Sequence, residues 1–148
     1  MDNEMTLSFL AVSENEALAR MAMTCFITPL DPTIEEISEF KTVVSEAVTN
    51  AIIHGYEENG VGIVTIRALR NDREVTVIIS DEGKGIEDVD QAMEPMYTSK
   101  PHMERSGMGF TIMESFTDQL SVSSAQDKGT TVTFTKQFSA ISEPLSAR

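Results

Sequence analysis

Apolar and polar residues alternate through Met5-Thr6-Leu7-Ser8-Phe9-Leu10-Ala11, the two-residue period of a half-buried strand. The period then lengthens. Ser13 followed by Glu16 makes a capping box that opens a helix ending before Pro29, with Leu18, Met21, Ala22, Cys25 and Phe26 as its apolar stripe and Arg20 off it. Pro29-Leu30-Asp31-Pro32 is a connector. Thr33 with Glu36 makes a second capping box, and Ile34, Ile37, Val44, Val48, Ala51 and Ile52 recur behind it at helical spacing. Gly55 is placed to end that helix as a C-terminal cap. Residues 56–62 read as loop, and 63–70 and 74–80 as the strands of a hairpin closed at Asn71-Asp72.

Asp81 to Gly85 turns the chain out of the second strand, and a short helix is expected around residues 88–93. Residues 94–106 hold Pro95 and Pro101, show no clear period and read as a mobile loop, which at this length inside a compact domain is usually functional or disordered. Residues 108–116 read as a helix with Phe110, Ile112, Met113 and Phe116 apolar. Strands follow over 119–124 and 130–138, joined by the turn Asp127-Lys128-Gly129. Residues 139–148 are expected to fray, leaving one domain over 1–138. Helices grouped against a mixed, mostly antiparallel sheet make a two-layer α/β (α+β) sandwich with its helices on one face.

The chain has 148 residues, enough for one domain with a real core. Its longest apolar runs are a few residues, so no membrane span is expected. Met1-Asp2-Asn3-Glu4 is acidic where a signal peptide would be basic, which predicts a cytoplasmic protein. One cysteine, Cys25, excludes an intrachain disulfide and reads as a small buried hydrophobe. The net charge of −13 argues against direct nucleic-acid binding, which needs clustered Lys and Arg. Such a surface steers a basic protein partner, or simply keeps the chain soluble.

Three short patterns carry chemistry. Glu46 and Asn50 sit four apart on the long helix, with His54 four further on, so they share a face beside the stripe of Val44, Val48 and Ala51. A carboxylate there can act as a general base and an amide oxygen is a suitable Mg²⁺ ligand; the same row also describes the solvated side of a helix. In Asp81-Glu82-Gly83-Lys84-Gly85 a strand ends in a carboxylate that can accept from an adenine amine, and glycines permit close backbone approach. An ordinary Asp-x-Gly turn has the same letters. Ser106-Gly107-Met108-Gly109 opens a helix whose free N–H groups can face phosphates, with Lys100 and Arg105 just upstream. Thr130 can bond a base through its hydroxyl or merely fill a strand position.

In this order the three patterns resemble the ATP-binding boxes of the superfamily shared by DNA gyrase B, Hsp90, bacterial histidine kinases and MutL. Residues 46–50 match its asparagine box, 81–85 its first glycine box and 107–109 its second. The likeness spans roughly residues 5–138 on the boundary precision of sequence reading and implies a Bergerat-type ATP-binding fold. Within it, the run from Thr42 to Tyr56 and the run Arg105-Ser106-Gly107-Met108-Gly109-Phe110-Thr111-Ile112-Met113 are very similar to the anti-sigma-factor serine kinases, on the sporulation rather than the general-stress side.

That resemblance implies a homodimer that holds a sigma factor of the sigma-F type when ATP is bound and that phosphorylates a serine on an anti-anti-sigma protein. It implies Glu46 as catalytic base, Asn50 as Mg²⁺ ligand, and Asp81 reading the adenine amine with Gly83, Gly85 and Thr130 beside it. A lid over residues 96–105, carrying Thr98, Lys100 and Arg105, would cover the phosphates together with Ser106, Gly107, Met108 and Gly109. Arg20 and Arg105 would contact partners. Neither His54 nor His102 lies in the sort of phospho-acceptor helix that histidine kinases carry, and no transducer domain of the gyrase kind is expected. Three rival readings stay open: a general-stress anti-sigma kinase, an ATP-gated sigma binder without catalysis, and a histidine-kinase catalytic domain acting on a separate histidine protein.

Overall fold

A computed structural model describes residues 1–55, 62–83, 109–125 and 128–140. Within these the elements are β1 (Asn3–Leu10), α1 (Glu14–Ile27), a 3₁₀ turn (Thr28–Leu30), α2 (Ile34–Asn50), a π turn (Ala51–Gly55), β2 (Ile63–Asn71), β3 (Glu74–Asp81), α3 (Gly109–Ser115), β4 (Gln119–Ala125) and β5 (Gly129–Gln137). The strands form one sheet in the order β1-β2-β3-β5-β4, and every pairing is antiparallel. The expected two-layer α/β sandwich is present. The expected short helix at 88–93, the lid and residues 141–148 lie outside the described residues. No described helix is long and apolar enough to cross a membrane.

Period-two alternation selects one face of the sheet. Val64, Ile66 and Ala68 of β2, Val75, Val77 and Ile79 of β3, and Val132 and Phe134 of β5 are buried. α2 lies between α1 and α3 and covers that face with Phe40, Val43, Val44, Ala47 and Val48. Phe40 meets Phe134 and Phe138 edge-on, with centroids 5.9 and 5.8 Å apart, a favoured aromatic geometry. α2 starts where its sequence says. The Thr33 hydroxyl accepts from Glu36 N at 3.0 Å, and the Glu36 carboxylate accepts from Thr33 N at 2.9 Å. Burial alone would raise the Glu36 carboxyl, but its bonds to Thr33 and Ser139 hold it below its ordinary value.

Lys136 is buried on β5 and is tied at 2.9 Å both to Glu39 Oε1 on α2 and to the carbonyl of Phe116, just past α3. One cation thus joins the sheet to two helices.

Three sequence expectations are corrected. Ser13 makes no side-chain cap, because its backbone is already helical (φ −55°, ψ −35°). Glu16 instead reaches α2, where it accepts from the Ser45 hydroxyl at 3.0 Å. The stripe of α1 is rotated: Ala19, Met23, Phe26 and Ile27 are buried, Leu18 is 50% and Met21 64% exposed, and Cys25 is exposed. α1 is apolar almost all round over residues 17–27, so periodicity leaves its phase open and packing on α2 sets it. Ile34, counted as core, is 88% exposed because it is the first residue of α2 and projects past the sheet-facing stripe.

Candidate functional site

Glu46 and Asn50 lie one turn apart at the C-terminal end of α2, both half-buried. α3 begins against them. A Cβ built on buried Gly109, its first residue, would stand 3.1 Å from Glu46 Oε2 and 3.4 and 3.7 Å from Asn50 Nδ2 and Oδ1. The missing side chain brings the α3 backbone up to a carboxylate and an amide, a use of glycine that depends on closeness rather than on φ.

Past Asn50 the helix changes. The N–H of Ala51 is shared between the carbonyls of Ala47 and Val48, and Ala51–Gly55 forms a π turn that packs on β3 and β5. The expected α-helical row from Glu46 through Asn50 to His54, capped at Gly55, therefore stops at Asn50. The side chain of His54 lies outside the described part. Single π turns are frequent at functional sites.

Asp81 is the last residue of β3 and is 8% exposed. Its Oδ1 accepts from Gly83 N at 2.9 Å, closing the turn that the Asp-x-Gly letters predict. It pairs in register with Thr130, near the start of β5. Burial pushes its carboxyl above the ordinary value, against the backbone hydrogen bonds from Gly83 and Thr130. Asp81 and Lys136 are the two buried charged residues among those described. Lys136 has a carboxylate at 2.9 Å, whereas Asp81 is met only by neutral backbone donors among the described residues. A buried carboxyl with no cation beside it among the described residues, at the end of a strand, marks a functional position better than a structural one.

Two positions that the sequence did not single out hold this corner. Gly129 has φ +88°, and a Cβ there would fall 2.0 Å from the carbonyl oxygen of Asp81, so β5 can start beside Asp81 only with glycine. Its signal was the Asp-Lys-Gly turn. Ser124 bonds the hydroxyl of Thr130 at 2.8 Å and the carbonyl of Gly129 at 3.0 Å. It resembles the other serines of β4 and carried no signal.

Of the expected site residues, Glu46, Asn50 and Gly109 meet at one point, and Asp81, Gly83 and Thr130 form a second group at a corner of the sheet. Arg20 is on α1, its Nε 3.6 Å from Glu16 Oε2. Gly85, Thr98, Lys100, Arg105, Ser106, Gly107 and Met108 lie outside the described residues.

Residues 9–136 match the family of the histidine kinase-like ATPase domain. The chain is 71% identical over 138 residues to the anti-sigma F factor of Lysinibacillus sphaericus, covering 93% of this chain and 94% of that protein. It is 56% identical over 143 residues to the anti-sigma F factor of Clostridium acetobutylicum, covering 97% and 99%. Among solved structures, the RsbU and RsbW domains of a Mycobacterium tuberculosis protein superpose with a TM-score of 0.67 at 17% identity, over 92% of this chain and 32% of that one. That likeness speaks for the fold alone.

Proposed function

From the chain's membership of the histidine kinase-like ATPase family, and within it of the anti-sigma F factors, we propose an ATP-dependent protein serine kinase that also captures a sporulation sigma factor. It acts in the cytoplasm as a homodimer, and its kinase substrate is an anti-anti-sigma protein. The observation that carries the kinase reading is the meeting of Glu46 and Asn50 on the bare backbone of Gly109.

Glu46 takes the proton from the acceptor serine as the serine oxygen forms its bond to the γ-phosphorus, and the bond to the β-phosphate oxygen breaks to release ADP. A positioned base contributes ~10²–10⁴-fold, and a capture module with no chemistry needs none. Asn50 offers an amide oxygen to Mg²⁺. Among the described residues no three His, Cys, Asp or Glu converge, and Mg²⁺ ordinarily takes one or two protein oxygens with phosphates and waters. When bound, the ion would offset phosphate charge. Asp81 accepts from the adenine amine, and Gly83 and Thr130 hold its carboxylate in place. The solvent-facing apolar run of Leu18, Met21 and Cys25 on α1 supports self-association.

The test is a pull-down with the tagged protein in ATP and in ADP, followed by mass spectrometry of partners and phosphosites. A sigma factor retained with ATP, together with an acid-stable phosphoserine on a small co-purifying protein, is the expected result. Sigma capture without phosphoserine would leave a nucleotide-gated binder. An acid-labile phosphohistidine would move the chain to histidine chemistry.

A further inference from the structure

Of the seven lysines and arginines among the described residues, five have a carboxylate or carbonyl partner within the fold. Arg20 faces Glu16, Arg67 bonds Glu4, Lys136 bonds Glu39, Arg73 donates to the carbonyls of Leu30 and Ser139, and Arg70 donates to the carbonyl of Phe26. Lys41 and Lys128 have no such acceptor among the described residues. Lys128 sits in a turn, while Lys41 lies on α2 and lines a cavity of about 470 Å³ between α2 and α1. In a chain of net charge −13 a lysine left over in a groove is a charge held for something else.

The groove follows one face of α2. Ile34, Ile37, Ser38, Lys41, Thr42 and Ser45 line it in turn, Glu46 closes one end, and Arg20 stands on the α1 side. From residue 34 to residue 46 the helix rises about 18 Å, the span of about five residues of extended chain. Its far end is apolar through Ile34 and Ile37, its middle is cationic, and its near end is the carboxylate assigned above as base. Arg20 has a counter-charge 3.6 Å away in Glu16 Oε2, without a hydrogen bond between them, while Glu16 Oε1 is taken by Ser45. Lys41, by contrast, has no carboxylate partner among the described residues and is the groove's lysine open to an occupant.

We propose that this groove is the docking track for the segment of the acceptor protein that carries the phosphorylated serine, and that Lys41 selects an acidic residue near that serine. Lys41 and Glu46 are five residues apart, a rise of about 7.5 Å, so the acidic residue lies two or three positions from the serine. An apolar side chain further along the segment would reach Ile34 and Ile37. The proposal rests on the kinase reading and adds which surface the substrate uses and what chemistry its segment carries. Lys41 acts here as a specificity residue and takes no part in the transfer step.

The test uses the full chain with purified anti-anti-sigma protein as acceptor. Lys41→Glu and Ile34→Glu replace exposed or half-exposed groups and leave the core intact. Lys41→Glu is expected to raise KM for the acceptor about tenfold, the scale of a like-charge contact of ~1.4 kcal/mol, with kcat, ATP affinity and sigma affinity unchanged. Changing the acidic residue two or three positions from the phosphoserine to lysine should restore KM with Lys41→Glu and raise it with the unmodified kinase. An unchanged KM in both variants, or a loss of sigma affinity in place of acceptor affinity, overturns the proposal. Absence of phosphotransfer by the unmodified protein overturns the kinase reading, and this proposal with it.

Discussion

Gly109 stands so close to Glu46 that a single methyl group on it would lie 3.1 Å from the carboxylate oxygen Oε2. The neighbours that must give way, the ends of the Glu46 and Asn50 side chains, are flexible, so Gly109→Ala should fold. Gly109 has no positive φ, so alanine there would also stabilise by roughly 0.4–1 kcal/mol by restricting the unfolded chain. We expect an unchanged or slightly raised melting temperature together with a phosphotransfer rate lowered about tenfold or more, because a displaced base is a poor base. Thermal melts beside single-turnover transfer check the pair. A full-rate Gly109→Ala enzyme would show that the closeness has no bearing on Glu46.

Asp81 should show function at the expense of stability. Its folded carboxyl is raised by burial, so the fold disfavours the ionised form. That penalty is absent below the ordinary value of 3.8, grows as pH rises through the raised value, and is constant above it. Asp81→Asn keeps an acceptor for Gly83 and Thr130 but carries no charge. It should melt higher than the unmodified protein at pH 7, and the gap should close as pH falls toward 4. ATP should then reverse the order, since the variant loses affinity for adenine. A variant less stable at pH 7 without nucleotide would show that the Asp81 charge supports the fold.

The tie between Glu39 and Lys136 predicts an asymmetry. Lys136 is buried and Glu39 is about a quarter exposed, so removing the acid strands a buried cation, at a cost of ~3–5 kcal/mol. Lys136→Met removes the buried charge itself and leaves a carboxylate that water can reach. Denaturant melts should rank Glu39→Leu as the worse single change, with the double variant recovering much of the loss. Equal damage from the two single changes would contradict the burial argument.

Much of this was legible in the sequence, for separable reasons. Strands β2, β3 and β5 alternate cleanly, and the Thr33–Glu36 box fixes the start of α2, so these strands and the start of that helix lie within a residue or so of their expected positions. Asp81 was legible through the resemblance of residues 81–85 to the first glycine box, since an ordinary Asp-x-Gly turn has the same letters. The buried side of α1 was not, because a helix apolar almost all round over residues 17–27 has no clear phase until α2 packs on it. Ser13-x-x-Glu16 has the letters of a capping box, but Glu16 finds Ser45 on another helix, and such a partner leaves no local trace. Nor does the four-residue spacing of Glu46, Asn50 and His54 reveal the π turn, which depends on Ala51 sharing its N–H between two carbonyls. Gly129 did leave a trace, as the glycine that ends the Asp127-Lys128-Gly129 turn where β5 begins opposite Asp81, but what its side chain would strike shows only in the fold.

The central claim is that Glu46 is the base of an ATP-dependent serine kinase, and one comparison tests it most directly. Single-turnover transfer from ATP to the anti-anti-sigma protein is measured for the unmodified chain and for Glu46→Gln, with ATP affinity measured on the same samples. The neutral amide fits the space beside Gly109 but cannot take the serine proton. A transfer rate lowered ~10²–10⁴-fold with ATP affinity retained is the predicted result. Transfer at the unmodified rate by Glu46→Gln would contradict it.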